Sequence, residues 1–250
     1  VLNQTYNNFE VIILDDCSTD NSRDVIENYR GHEKIAEIVY NNQNSGSTFR
    51  QWNKGLELAN GEWIWFVESD DWSELNFLES LIEGLKHSDK PFAMAFCNTL
   101  QIQDKEIVYR TDFRFLTKAH DGNAFISNYM IKDNKIMNAS MVLFNKEAAI
   151  GISKEWMEFR LCGDWLFWIF IMKDNQILEV GKFLNYFRKH DESVSTSNNP
   201  EKKLLPYREK PMFWAILKDK KIISEYSYIR LVVKYWESVL FSDEHSFNQK

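Results

Sequence analysis

The chain has 250 residues, 44% of them hydrophobic, enough apolar material for one large α/β core with appendages. Thirty basic against thirty-seven acidic residues leave a net charge of −7, which argues against a nucleic-acid partner, because phosphate backbones demand basic patches. Cys17, Cys97 and Cys162 are too widely spaced for a metal knuckle and suit a reducing compartment. No signal peptide is visible and no apolar run approaches the ~18 residues of a membrane span, so a cytoplasmic location is expected.

In chain order, residues 1–9 read as the end of a helix and an Asn-rich turn. Residues 10–14 (EVIIL) form a compact apolar strand that ends on Asp15 and Asp16. Ser18, Thr19, Asp20 and Ser22 then offer capping oxygens for a helix over 22–29, with Gly31 as its stop. Caps account for most of these polar groups. They do not require Asp15 and Asp16, two adjacent acids that could meet the donors of a base or ribose. A strand over 35–40 leads through a polar loop (NNQNSGS) into a helix over 48–59. On that helix Phe49, Trp52, Leu56 and Ala59 share one face, and Arg50 and Lys54 another. The two cations either neighbour an anionic ligand or form a solvated basic face.

Asn60-Gly61 turns the chain into EWIWFVESDDW. A short, nearly continuous apolar run reads as a strand buried on both faces of a parallel sheet. It stops on Glu68, Asp70 and Asp71. Ligands collect at the carboxyl ends of strands in open α/β sheets. Three acids so close repel one another unless a cation offsets them, typically a hard divalent ion with phosphate oxygens. The competing reading is a solvated acidic loop.

Residues 75–85 make an amphipathic core helix. A strand is expected over 92–100, an antiparallel excursion over 101–120, a helix over 123–130 and a strand over 139–144. His32, His87 and His120 lack partner spacing and read as surface residues. In RLCGDWLFW (160–168), Gly163 permits a tight turn and Asp164 opens an apolar helix, where an N-cap alone would explain it. Strands over 176–180 and 183–187 precede Arg188, Lys189 and His190 and a Ser/Asn-rich loop reaching Pro200. Residues 201–240 read as helical, and their apolar stripe could pack on the domain, pair with another subunit or lie on a membrane surface.

Together, QTYNNFEVIILDDCSTDNS, NNQNSGSTFRQWNKGLELANGEWIWFVESDDW and RLCGDWLFW resemble the inverting family 2 glycosyltransferases. The likeness is dense over about residues 2–85 and thins to isolated motifs afterwards. It implies an α/β fold of GT-A type, Rossmann-like, with a mostly parallel central sheet flanked by helices. Residues 1–200 would be the nucleotide-sugar-binding and catalytic domain and 201–250 a C-terminal helical extension. The implied reaction moves a sugar from a nucleotide diphosphate donor, expected to be UDP-linked, to an acceptor hydroxyl in polysaccharide, lipopolysaccharide or glycoconjugate synthesis. Asp15 and Asp16 would bind the nucleotide, Asp16 being the better candidate for the base, and Arg50 and Asp70 would assist. Asp70 and Asp71 would hold Mn²⁺ or Mg²⁺. Glu68 stands where the family often has Asp, and its longer side chain ranks below them as a ligand. Asp164 would be the general base, and Arg188 and His190 would close over the diphosphate. The acceptor would be carbohydrate or lipid-linked, with peripheral membrane association or homodimerisation through the C-terminal helices. The resemblance also implies a preceding strand and loop with a Tyr-Asn pair. This sequence is expected to lack them, which would weaken nucleotide binding. A sugar nucleotidyltransferase and a non-catalytic carbohydrate- or nucleotide-binding module are the alternatives.

Overall fold

The computed structural model describes residues 1–86, 91–111, 117–189 and 200–247. The first half alternates strand and helix: β1 (Val11–Asp15), α1 (Ser22–Glu27), β2 (Ile35–Tyr40), α2 (Thr48–Leu58) and β3 (Trp63–Trp65). Gly31 takes φ +88°, a left-handed conformation that suits glycine, and turns the chain between α1 and β2. A short β4 (Trp72–Ser73) and α3 (Phe77–Lys86) follow. Next come β5 (Phe92–Gln103), β6 (Glu106–Arg110), β7 (Thr117–Asp121) and α4 (Gly122–Phe125), which continues into a π-turn to Met130. A 3-10 turn (Ala139–Met141) enters β8 (Val142–Asn145), followed by α5 (Lys146–Ile150) and α6 (Gly163–Met172). β9 (Gln176–Arg188), α7 (Pro200–Asp219) and α8 (Glu225–Phe247) complete the chain order.

Among the described residues the strands fall into two sheets. β1 and β2 pair in parallel, while the larger sheet runs β3-β8-β5-β9-β4, with β6 on β5 and β7 on β9. In the larger sheet β5 and β9 are parallel and the remaining ladders antiparallel. The parallel pairing read from the early strand–helix alternation therefore holds for β1–β2. The expectation of a mostly parallel central sheet does not hold for the larger sheet, where β5–β6 is a short-turn hairpin and β8, β4 and β7 pair antiparallel with strands distant in the chain. α2 spans the two sheets: the free side of Gly55 meets Leu14 of β1 and Phe66 just beyond β3.

α6 is apolar on all sides, and Trp165 to Met172 are all buried, as a helix at the centre of a core must be. Around it Phe49, Trp52, Phe66, Phe144, Trp156, Phe167 and Trp168 form one aromatic cluster, with ring centroids 4.7 to 6.4 Å apart. Burial of each large side chain contributes about 1.5–3 kcal/mol. This cluster ties α2 and the end of β3 to the start of α6, so two acidic segments distant in sequence share one foundation. α7 belongs to the same core through Phe213, Trp214 and Leu217. Among the described residues no helix is long and apolar enough to cross a membrane.

Candidate active site

Past β3 the chain leaves the sheet and turns back within Glu68–Asp71, where the Asp71 N–H donates to the Glu68 carbonyl at 3.2 Å. The strand is thus shorter than its apolar run predicts, and Phe66 to Asp71 form the loop that presents the acids. Ser140 fixes that loop. Its hydroxyl accepts from the Glu68 N–H at 3.1 Å and donates to Asp71 Oδ2 at 2.9 Å, and its carbonyl accepts from the Trp65 indole at 2.8 Å. Asn138 also donates to Asp71 Oδ2, and the Arg188 N–H donates to Oδ1 at 3.1 Å. Behind Asn138 a buried polar chain continues through Asn185 to Thr99. Asp71 therefore joins the acidic loop, the 3-10 turn and the end of β9.

Asp164 lies at the first turn of α6, with its carboxylate held by the Trp165 N–H and by the Asn134 amide at 2.9 Å. Gly163 makes this placement possible. A Cβ there would lie 2.3 Å from the Phe49 ring and 2.4 Å from the Trp156 carbonyl. Desolvation is the main force on Asp164. It outweighs those hydrogen bonds and pushes the carboxyl up to about 7. Glu68 rises to about 8, first through desolvation and then through the charges of Asp71, Asp70 and Asp164. Asp71 is also raised, by desolvation and by Asp70, although its three hydrogen bonds oppose the shift. Residues 68–71 and 164 consequently form a single electrostatic unit.

Asp15 is 4% exposed and accepts from the Ser18 N–H and from Arg23 Nε at 3.0 Å. Burial opposes its charge, but these bonds hold its carboxyl below the ordinary range. It closes its own turn, with both oxygens committed. Asp16 Oδ1 accepts from Asn41, Gln51 and the Ser45 N–H, and Oδ2 from the Ser45 hydroxyl at 2.7 Å. Asp16 thereby organises the polar loop over 41–47. Arg50 is exposed and lines a shallow groove with Ser153, Lys154 and Glu158; Gln51, its neighbour, reaches Asp16 instead. Lys54 donates to Asn41 at 2.6 Å. Arg188 meets the acidic loop through its backbone, and its guanidinium lies 5.4 Å from the Trp72 ring, which stacks on Tyr186. His190 lies outside the described residues. His120, read as a surface residue, is half-buried against Glu179 at 2.6 Å, because β7 pairs with β9.

Asn134, Asn138, Ser140 and Gln51 carry no local signal in the sequence; only the fold brings them to the acids. Oxygen donors at 70 and 71 match the chemistry of a hard divalent cation, which commonly takes one or two carboxylates and completes its shell with substrate phosphates and water. The three donors on Asp71 fix the orientation of its carboxylate. Among the described residues no three His, Cys, Asp or Glu side chains converge as a metal-holding group.

The profile of the family described as "Glycosyl transferase family 2" matches residues 1–152. TuaG of Bacillus subtilis, a glycosyltransferase named for teichuronic acid biosynthesis, is 40% identical over 93 residues, covering 37% of this chain and 36% of TuaG. The glycosyltransferase GlyG of Streptococcus pneumoniae is 34% identical over 89 residues, 36% of this chain and 29% of GlyG. The chain thus spans about a third of the length of these relatives. TarS of Staphylococcus aureus, solved in complex with UDP-GlcNAc, superposes with a TM-score of 0.69 at 18% identity, over 94% of this chain and 65% of that one. At that identity the match speaks to the fold.

Proposed function

The chain belongs to glycosyl transferase family 2 and has the GT-A fold, and on that premise we propose that it transfers a sugar from a UDP-linked donor to a hydroxyl of a cell-surface polysaccharide or related glycoconjugate. The supporting observation is that the charges of Asp70, Asp71 and Asp164 all act on Glu68, so the two acidic segments lie within electrostatic reach of each other. In the proposed reaction the acceptor oxygen attacks the anomeric carbon as the bond to the diphosphate breaks, inverting that centre. The hydroxyl proton passes to the Asp164 carboxylate, and the nucleoside diphosphate departs. A carboxyl poised near 7 is matched to this work, since a general base is most effective with a pKa close to the working pH.

Mn²⁺ or Mg²⁺ would be held by Asp70, with Asp71 as its anchored neighbour, and would offset charge on the departing diphosphate. Asp16 keeps the 41–47 loop in shape beside the nucleotide, and Asp15 supports the same turn from behind. The Arg188 guanidinium, supported by Trp72, sits at the rim where an anionic leaving group would lie. TarS, whose fold this chain shares, was solved with UDP-GlcNAc, which makes UDP-sugars the first donors to try. The test is UDP release from a panel of UDP-sugars with oligosaccharide acceptors. Asp164→Asn should bind UDP as the wild type does and lose transfer at least a hundredfold; unchanged turnover would sink the assignment of the base.

A further inference from the structure

The mechanism above makes no use of Glu209, a carboxylate on α7 that is only 7% exposed. Its Oε1 accepts from the Arg160 N–H at 2.8 Å, and its Oε2 from the Leu161 and Cys162 N–H groups at 2.8 and 2.9 Å. Three consecutive backbone donors thus converge on one acid immediately before α6 begins. Cys162, the N-cap of α6, supplies no side-chain bond of its own. Charge-assisted bonds to backbone N–H groups are roughly twice as strong as neutral ones, and a negative charge is favoured at a helix N-terminus.

α7 grips the surroundings of Asp164 at two further points. Phe213 packs on Trp165 with ring centroids 4.3 Å apart. The Trp214 indole donates to the Ile131 carbonyl at 3.0 Å, and the Trp165 indole to Met130 at 2.7 Å. Met130 and Ile131 lead into Asn134, whose amide holds Asp164 Oδ2. The Arg160–Cys162 turn that ends two residues before Asp164, Trp165 just after it, and Ile131, three residues before Asn134, therefore all contact one helix.

We propose that Glu209 is a positioning residue for Asp164, its buried carboxylate fixing the Arg160–Cys162 turn so that the base points into the acidic site. The inference rests on the reading of Asp164 as the base. The charge of Glu209 also adds to the dominant desolvation in raising the proton affinity of Asp164. A helix cap with a purely structural role would stabilise the chain without governing how Asp164 titrates.

The experiment uses the whole chain and needs no knowledge of the donor sugar. Aspartate carboxyl carbons are labelled with ¹³C, and Asp164 is assigned by comparison with Asp164→Asn. Its titration is then followed by NMR in wild type, Glu209→Gln and Glu209→Asp, with melting temperature and Mn²⁺-supported UDP binding measured alongside. Glu209→Gln keeps the size and one acceptor but removes the charge. It should lower the Asp164 pKa by about half a unit or more while UDP affinity stays within twofold. Glu209→Asp, which keeps the charge, should restore most of the wild-type titration. An unchanged Asp164 titration in Glu209→Gln, with only the melting temperature lowered, would reduce Glu209 to a structural cap and overturn the proposal. So would a parallel loss of UDP binding, which would mean general disruption. If Glu209→Gln does not fold, Glu209→Asp decides the matter: a pKa near an ordinary aspartate would overturn the inference, and one near the wild-type value would support it. Should Asp164→Asn transfer sugar normally, the reading of the base fails, whereas loss of transfer in Asp164→Asn with no effect at Glu209 refutes this inference alone.

Discussion

Glu68→Gln should stabilise the chain in metal-free buffer at pH 8 and leave it nearly unchanged at pH 4. Glu68 is pushed from 4.5 to about 8 by desolvation and by the charges of Asp71, Asp70 and Asp164. At 1.36 kcal/mol per pKa unit, that rise corresponds to roughly 5 kcal/mol lost on ionisation. The folded chain holds this proton more tightly than the unfolded one, so between about pH 4.5 and 8 it carries the extra proton and stability falls as pH rises. Below pH 4.5 both states are protonated and the destabilisation vanishes. Part of the strain would pass to the remaining acids, and a net gain of about 2 kcal/mol at pH 8 is a reasonable expectation. For a chain of this length that is about 4–8 °C in melting temperature. The assay is thermal unfolding by circular dichroism in EDTA at both pH values. The amide can donate to Asp71 as the protonated acid does, so geometry is preserved. A variant less stable than wild type at pH 8, or equally shifted at both pH values, would refute the electrostatic account of the site.

Gly163→Ala would place a methyl group within 2.3 to 2.5 Å of the Phe49 ring and the Trp156 carbonyl; it should cost about 1–3 kcal/mol or more, and an unchanged melting temperature would contradict the close approach. Asn138→Ala removes one donor from Asp71 and interrupts the chain to Asn185. A loss of about 1–3 kcal/mol, accompanied by weaker Mn²⁺-dependent UDP binding, is expected from unfolding curves and titration. With Asp164 poised at about 7, the base must lose its proton to act, so kcat should rise with pH to a plateau through an apparent pKa near 7 and fall about tenfold per unit well below it; a rate independent of pH between 5 and 8 would count against that role.

The early elements were readable because their signals are local. Apolar runs ending in turn formers gave β1 and β2, and helical spacing of Phe49, Trp52 and Leu56 gave the buried face of α2. Later boundaries depended on partners distant in the chain. Residues 139–144 read as one strand, yet Ala139–Met141 coil into a 3-10 turn, where Ser140 serves Asp71. The two strands read over 176–187 are one, since the slip in register between Cys97–Val180 and Asn98–Phe183 absorbs Gly181 and Lys182 without breaking the pairing. Of the candidate site, the acids at 68–71 and 164 were visible as abrupt carboxylates beside apolar runs. What each acid does was not visible, because it is set by Asn134, Asn138, Ser140 and Gln51. The commitments of Asp15 to Arg23 and of Asp71 to three donors likewise arise from contacts that no spacing rule encodes.

The central claim, a nucleotide diphosphate held through a cation at Asp70, is most directly tested by calorimetric titration of UDP into the folded chain with Mn²⁺ and again with EDTA. The account predicts binding with Mn²⁺ that disappears in EDTA and in Asp70→Ala, while circular dichroism shows the variant folded. Binding of equal strength in EDTA or in Asp70→Ala, or none by the folded wild-type chain, would contradict it.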